Sequence, residues 1–274
     1  MAYNRYFGFR ENPFNQTPDS SFFFPSEAHK TALDALTYAI KQRKGFVVIT
    51  GEIGSGKTTV VRTLLRRLDA NVRTALITNT HLSPKGVITL ILEDLGIAYK
   101  PGPKEKLLIQ LNEYLLQQMS EDKNTVLIID EAQNLSPACL EEVRMLSNLE
   151  TEKEKLIQIV LIGQPELRGK LDLPRLAQLR QRVAIQFHLT PLSQGDSRDY
   201  IFHRLNTAKA NGRDYSGLFE ESALHKIYTS SRGVPRVINN ICDHLLLSAY
   251  VSQTELITEQ MAQEAVDTVT KSHS

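Results

Sequence analysis

Short apolar runs alternate with amphipathic stretches through the first two thirds of the chain. The apolar runs are as long as β-strands, and they predict strands at Phe46–Thr50, Thr74–Thr78, Val126–Asp130, Ile157–Ile162 and Val183–Leu189. Between the runs, apolar residues recur every three or four positions, which predicts helices beginning at Lys57, Pro84, Lys104 and Pro137. Apolar strands that alternate with helices are typical of a parallel sheet covered on both faces. This part of the chain is therefore predicted to be an α/β domain.

The pattern changes at Pro191, after which no further strand is predicted. The remaining residues predict helices at Gln194–Asn211, Glu220–Ser230, Val234–Val251 and Thr258–Thr270. We therefore expect a small all-helical domain at residues 191–274, which follows an α/β domain at residues 29–190. The boundary between them is expected at Leu189–Ser193.

Residues 1–28 differ from the rest, because aromatic residues are interleaved with Asn-Pro, Thr-Pro and Phe-Pro breaks. The aromatic residues are Tyr3, Tyr6, Phe7, Phe9, Phe14, Phe22, Phe23 and Phe24. This segment is too aromatic for a disordered tail and too interrupted for long regular elements. We expect it to wrap over the core in an extended path. Ser26 is then the expected N-cap of a helix at Ala28–Gln42.

The composition is that of a soluble globular protein. The 274 residues are 41% hydrophobic and 23% charged, with a formal net charge of +1. So small a charge gives no overall field that favours nucleic acid or acidic lipid, although a local basic face is still compatible with it. Cys139 and Cys242 lack metal-ligand spacing and are interpreted as reduced residues. We find neither a signal peptide nor an apolar run of membrane-spanning length, so we expect a cytoplasmic protein.

The most specific motif follows the first predicted strand and fits Gly-x-x-x-x-Gly-Lys-[Ser/Thr]. The candidate phosphate-binding residues are Gly51, Glu52, Ile53, Gly54, Ser55, Gly56, Lys57, Thr58 and Thr59. Glycines let the backbone curl so that its N–H groups point at phosphate oxygens, and the next helix adds its positive N-terminal end. Lys57 is expected to reach the β- and γ-phosphates, and the Thr58 hydroxyl to bind Mg²⁺. The alternative, a chance match in a loop, is disfavoured by the flanking strand and helix.

Two carboxylates, Asp130 and Glu131, emerge at the end of the predicted strand Val126–Asp130. Ligands of parallel sheets collect at the carboxyl ends of the strands. Asp130 is expected to hold the water shell of Mg²⁺, and Glu131 to polarise a water molecule toward the γ-phosphate. Such a pair is common in loops, but its place downstream of a nucleotide loop favours the functional interpretation.

Gln164 follows the next predicted strand. It is expected to hydrogen-bond the attacking water or the γ-phosphate, and the alternative is a glutamine that caps a turn. Farther along, an arginine cluster precedes the last strand; its members are Arg175, Arg180 and Arg182. These arginines are either solvated, or one of them reaches the phosphate site of a neighbouring subunit. Arg236 lies in the first turn of a predicted helix, where it opposes the helix dipole, and it is expected to reach the phosphates instead.

These five sites, in this order along the chain, resemble those of the AAA+ ATPases. The nucleotide loop resembles the Walker A motif of that family, and the strand with the two carboxylates resembles its Walker B motif. The resemblance implies that Gln164 is sensor 1, that Arg236 is sensor 2, and that Arg182 or Arg180 is an arginine finger. It also implies that ATP and Mg²⁺ bind between the sheet domain and a helical lid, and that subunits assemble into rings or filaments.

A narrower resemblance is to the general secretion pathway protein A family. The residues that carry it are Phe7-Gly8-Phe9, Asn12-Pro13-Phe14, Thr17-Pro18-Asp19, Phe24, Ser26, His29, Leu179-Arg180-Gln181-Arg182, Tyr200-Ile201 and His203-Arg204-Leu205. The resemblance implies that Asn12, Pro13 and Phe14 flank the adenine, and that a membrane-bound partner helps to assemble the secretin of type II secretion. Full members continue into a transmembrane helix and a periplasmic domain. We therefore expect this chain to be an excised ATPase region or a free-standing relative.

Two rival functions are compatible with the sequence. The first is a DNA-binding ATPase that regulates transposition and forms filaments on duplex DNA, for which the candidate residues are Lys41, Arg43, Lys44, Arg62, Arg66, Arg67 and Arg73. A solvated helix face explains these residues more simply, because the net charge is only +1. The second is a binding switch with negligible turnover, against which the intact Asp130-Glu131 pair argues.

Overall fold

The computed structural model of the chain describes residues 2–152, 154–210 and 212–271. Its strands are β1 (Phe46–Gly51), β2 (Val72–Ile77), β3 (Asn124–Ile129), β4 (Gln158–Gly163) and β5 (Val183–Leu189). Its helices are α1 (Ala2–Phe7), α2 (Glu27–Lys41), α3 (Lys57–Arg67), α4 (Pro84–Asp94), α5 (Lys104–Ser120), α6 (Pro137–Leu146), α7 (Pro165–Leu171), α8 (Ala177–Gln181), α9 (Gln194–Ala208), α10 (Glu221–Ser231), α11 (Pro235–Val251) and α12 (Glu259–Lys271). The predicted strands and helices are confirmed, with ends shifted by a few residues. Among the described residues, no helix has the length and the apolar run that a membrane crossing requires.

Packing divides the chain into two compact units. The first, which we call the sheet unit, comprises residues 30–51 and 63–189. The second, which we call the helical unit, comprises residues 1–29, 52–62 and 190–274. The N-terminal segment and most of the nucleotide loop therefore pack with the C-terminal helices. These units are defined by packing contacts, so they do not test the domain limits expected from the sequence. Those limits remain predictions.

The sheet unit is built on five parallel strands in the order β2-β3-β4-β1-β5. Every residue of the three inner strands is buried, which explains why apolar residues predominate in them. The edge strands are more exposed, since only Ala75 and Ile77 of β2 and Leu189 of β5 are buried, so the expectation of covered, apolar strands holds only for the inner three. Because all strands are parallel, the carboxyl ends of β1, β3 and β4 lie at one edge of the sheet.

Helical connections cover this sheet and begin where the sequence predicts. Ser83 and Ser136 cap α4 and α6 through their side-chain oxygens, and each cap is followed by a proline at the first helical position. Two short helices between β4 and β5, α7 and α8, were not predicted, because seven and five residues are too few to show a helical period.

The helical unit has its own core, which is built from α1, the N-terminal aromatics and α9 to α12. An extended path was predicted for the whole N-terminal segment, and this is wrong for Ala2–Phe7, which forms α1. The reason is that Tyr3 and Phe7 are four residues apart, so a helix places both rings on one face, and both are fully buried. Between α1 and α2, the described residues form only an isolated bridge from Phe9 to Lys209 and one 3₁₀ turn at Ser20–Phe22.

Candidate functional site

The nucleotide loop, residues 51–58, is curled by its glycines. Gly54 and Gly56 have φ angles of +79° and +98°, which residues with a Cβ rarely adopt. Ser55 N donates to the Glu52 carbonyl at 3.1 Å, and Lys57 Nζ donates to the same carbonyl at 2.8 Å. The lysine is buried, so it lies over the loop instead of extending into solvent. This curl at the start of α3 is the geometry that presents backbone N–H groups to an anion.

Arg236 contacts the loop at Gly54. Its backbone N–H donates to the Gly54 carbonyl at 3.2 Å. A Cβ at position 54 would lie only 2.5 Å from the Cβ of Arg236, so the glycine is needed for this approach as well as for its φ angle. Pro235 starts α11, and Arg236 follows it in the first turn, as the sequence predicts. The structure thus brings the predicted sensor 2 residue to the predicted phosphate loop.

His29 supports the loop at Ser55 and Gly56, and sequence reasoning did not assign it a role there. Its Nε2 lies 2.9 Å from the Ser55 carbonyl, and its Nδ1 lies 2.6 Å from Ser26 Oγ. Burial lowers the pKa of His29, against the opposing effects of the Ser55 carbonyl and the charge of Asp196. The neutral ring therefore donates from Nε2 to the carbonyl and accepts from the serine hydroxyl at Nδ1. No local signal in the sequence links these residues, because they are 26 positions apart.

The segment Asn12-Pro13-Phe14 is anchored to α9 and α11. Asn12 Nδ2 donates to Asp243 at 3.1 Å, and the buried Arg204 donates from Nε to the Pro13 carbonyl at 2.5 Å. The ring of Phe14 packs in the core of the helical unit. The structure fixes this segment firmly, while its contact with adenine stays a prediction.

Asp130 and Glu131 follow β3 directly. Asp130 is 5% exposed, and its backbone N–H donates to the Ile77 carbonyl of β2 at 2.9 Å. Its Oδ1 accepts the backbone N–H of Glu131 at 2.9 Å. Glu131 has a left-handed backbone with φ of +52°, a conformation that costs free energy in a residue with a side chain. Such strained residues cluster at functional sites, so the turn after β3 fits the predicted role of this pair.

Gln164 lies beside Glu131 at the end of β4. Its Nε2 donates to Glu131 Oε2 at 3.1 Å. It occupies the N-cap position of α7, but its side chain makes no capping hydrogen bond within the described part of the chain, so the alternative interpretation as a capping residue is wrong. The structure instead joins two predicted site residues, Glu131 and Gln164, through a direct contact.

Two members of the arginine cluster contact neighbours within the sheet unit. Arg182 Nη1 donates to Ser147 Oγ at 2.6 Å, and the exposed Arg180 pairs with Asp172 at 3.2 Å. Arg175 is exposed. A role for Arg180 or Arg182 in a neighbouring subunit stays a prediction.

The oxygen donors Thr58 and Asp130 are the predicted metal ligands. Within the described residues there is no cluster of three or more histidine, cysteine, aspartate or glutamate side chains that could hold a metal ion. Mg²⁺ needs no such cluster, because it is usually held by one or two protein oxygens together with phosphate oxygens and water. Thr58 and Asp130 both offer oxygen, the ligand type that Mg²⁺ prefers, and their role as ligands stays a prediction.

Comparison with known proteins gives the same picture. Residues 40–171 match the AAA domain family. The chain is 40% identical over 249 residues to general secretion pathway protein A of Aeromonas hydrophila, which covers 90% of this chain and 45% of that protein. The chain thus spans less than half the length of this relative.

Solved structures share the fold at low sequence identity. The ORC2 protein of Aeropyrum pernix superposes with a TM-score of 0.68 at 15% identity, covering 94% of this chain and 72% of that one. The RuvB branch migration motor of Thermotoga maritima gives a TM-score of 0.57 at 19% identity, covering 89% and 69% of the two chains. The fold is that of the P-loop AAA+ proteins, and the chain is similar in sequence to the AAA domain family and to general secretion pathway protein A, the resemblance that its motifs predicted.

Proposed function

We propose that this chain binds ATP together with Mg²⁺, hydrolyses it, and uses the cycle to assemble or remodel a protein complex. The observation that carries the proposal is the nucleotide loop, which is curled by Gly54 and Gly56 and crossed by Lys57. A Cβ at position 56 would lie 2.7 Å from His29 Nε2, so the loop tolerates no side chain there. Such a loop is built for phosphate oxygens, and Lys57 supplies the positive charge for the β- and γ-phosphates.

The residues that would hold Mg²⁺ are Thr58, through its hydroxyl, and Asp130, through the water shell. The bound ion would neutralise the charge that develops on the phosphate oxygens. Glu131 follows Asp130 in the sequence, just after the carboxyl end of β3. This is the edge of the sheet where ligands of parallel folds bind.

Hydrolysis is the reaction that Glu131 supports. A carboxylate that accepts a proton from the attacking water makes the water a better nucleophile. Gln164 donates to that carboxylate, and this contact supports the proposal that Gln164 transmits the state of the γ-phosphate to the base. A switch without turnover would have no use for this pair.

The work done by the cycle is inferred from the relative. Its name places it in the general secretion pathway, and the chain matches it over 90% of its own length. We propose that this chain acts as a homo-oligomer, in which Arg182 or Arg180 completes the site of a neighbour, together with a membrane-bound secretion partner. We do not propose DNA as its substrate. Of the candidate basic residues, Arg43 is paired with Asp122 and Glu154, and Arg62 with the Pro18 carbonyl.

Phosphate release tests the proposal. The purified chain is expected to release phosphate from ATP only when Mg²⁺ is present. Replacing Glu131 by Gln removes the proton acceptor and should slow release by about a hundredfold or more. The matched control is Glu113→Gln, which makes the same change on an exposed face of α5 and should leave the rate unaltered. Equal rates for Glu131→Gln and the control would reject the assigned role.

A further inference from the structure

Gln133 contacts both Glu131 and Gln164, the predicted residues at the ends of β3 and β4, and it has no role in the proposed function. Its side chain lies in the turn Ala132–Asn134, which follows Glu131, and it is 8% exposed. Its Nε2 donates to Glu131 Oε2 at 2.5 Å, and its Oε1 accepts the backbone N–H of Gln164 at 3.0 Å. One buried amide therefore links the end of β3 to the end of β4.

The position of this amide is built into the surrounding backbone. A Cβ at position 163 would lie 2.7 Å from Gln133 Oε1, so Gly163 provides the space that the amide occupies. Lys170 of α7 donates from Nζ to the Gln133 carbonyl, and to the Leu135 carbonyl at 3.0 Å. Both the backbone and the side chain of Gln133 are thus fixed by contacts within the sheet unit.

These contacts determine how the Glu131 carboxylate is oriented. The amides of Gln133 and Gln164 both donate to the same oxygen, Oε2. The backbone of Glu131 is held in the left-handed conformation, and two donors bind one oxygen of its side chain. Together these contacts restrict rotation of the carboxylate group. The other oxygen, Oε1, lies outside this pair of hydrogen bonds and is the one that can face a water molecule.

We propose that Gln133 is a positioning residue, which holds Glu131 through Oε2 so that Oε1 accepts the proton of the attacking water. This inference rests on the proposed hydrolysis of ATP. In that step the water oxygen bonds to the γ-phosphorus, the bond from phosphorus to the bridging oxygen breaks, and ADP leaves. The water proton moves to Oε1 and is then released to solvent. Because Gln133 acts through Glu131, its loss lowers the rate of the chemical step without lowering the affinity for ATP.

The substitution Gln133→Met tests this role, because methionine has a similar volume but donates no hydrogen bond. The matched control is Gln118→Met on α5, which replaces another buried glutamine of the sheet unit, 6% exposed, whose Oε1 has no hydrogen-bond partner within the part of the chain described. We expect Gln133→Met to lower kcat roughly tenfold or more, with KM and the Kd for ATP within about twofold of wild type. Gln118→Met should leave all three constants near wild type.

Amide exchange gives a readout that does not depend on activity. The backbone N–H of Gln164 should exchange with deuterium faster in Gln133→Met than in Gln118→Met, because its acceptor is lost. If Gln133→Met does not fold, Gly163→Ala displaces the same amide with Gln133 intact, and the same fall in kcat is expected from it.

The outcomes separate the two proposals. If wild type fails to release phosphate, or if Glu131→Gln retains the wild-type rate, the proposed function fails. If Glu131→Gln is inactive but Gln133→Met has the kcat of Gln118→Met, only the positioning role is overturned. It is also overturned if Gln133→Met weakens ATP binding in proportion to kcat.

Discussion

The nucleotide loop of the helical unit and the carboxylate pair of the sheet unit are held in place by different kinds of contact. In the loop, Gly54 and Gly56 provide space that Arg236 and His29 fill, and a Cβ at either glycine would meet those side chains within 2.7 Å. At the sheet edge, Glu131 is held by hydrogen bonds from the amides of Gln133 and Gln164.

This difference predicts two kinds of sensitivity. A site that depends on space fails when atoms are added, even if no polar group changes. A site that depends on hydrogen bonds fails when a donor is removed, even if the volume is kept. Substitutions that change either the volume or the hydrogen bonding, but not both, should therefore affect the two units differently.

The largest effect is expected from Gly233→Ala in the helical unit. Gly233 has a φ of +73°, and a Cβ there would lie 2.0 Å from the Leu192 carbonyl oxygen, which is backbone and cannot rotate away. We expect the free energy of unfolding to fall by about 3 kcal/mol or more. Urea denaturation followed by circular dichroism measures the change.

Gly45→Ala in the sheet unit is the matched control. Gly45 has nearly the same φ, +77°, but no atom of the described residues beyond its chain neighbours lies within 4 Å of the added Cβ. Only the backbone strain remains, which costs about 1 kcal/mol. If the two variants lose equal stability, lack of space is not what makes Gly233 necessary.

A smaller effect is expected from the pH dependence of His29. Burial lowers the pKa of this histidine in the folded state, so the unfolded chain binds its proton more readily. Its contribution to stability is therefore present above the ordinary histidine pKa, near 6.5, and is lost as the pH falls below it. His29→Gln can keep a donor to the Ser55 carbonyl but does not titrate. We expect the free energy of unfolding to fall less in His29→Gln than in wild type when the pH is lowered from about 7.5 to about 5.5.

A second histidine, His203, does not affect this comparison between wild type and His29→Gln. Burial also lowers the pKa of His203, and this residue is present in both proteins, so its effect cancels. Identical pH dependence in wild type and His29→Gln would show that the protonation of His29 does not limit stability. Urea denaturation at the two pH values provides the numbers.

Much of the fold could be predicted from sequence, because local signals mark its elements. Ser83 and Ser136 signal the starts of their helices, and the inner strands are apolar at almost every position. The aromatic N-terminal segment was harder. Proline breaks predict an extended path, but the spacing of Tyr3 and Phe7 allowed both rings to be buried by one helical turn.

The candidate site was predictable only where its residues are neighbours in sequence. The nucleotide loop and the Asp130-Glu131 pair are contiguous motifs, so the residue types and their order are enough to recognise them. The contacts of His29 with Ser55, and of Gln133 with Gln164, join residues that are 26 and 31 positions apart. Such contacts depend on how distant segments pack, and no local pattern encodes them.

The central claim is that the loop binds the nucleotide and the sheet edge performs the chemistry. Measuring the Kd for ATP and the rate of phosphate release on the same samples of Lys57→Ala and Glu131→Gln tests it most directly. We predict that Lys57→Ala weakens ATP binding roughly tenfold to a hundredfold, because a charged hydrogen bond to phosphate is lost. Glu131→Gln should bind ATP as wild type does and release almost no phosphate. The account is contradicted if Lys57→Ala binds ATP normally, or if Glu131→Gln loses affinity and rate together.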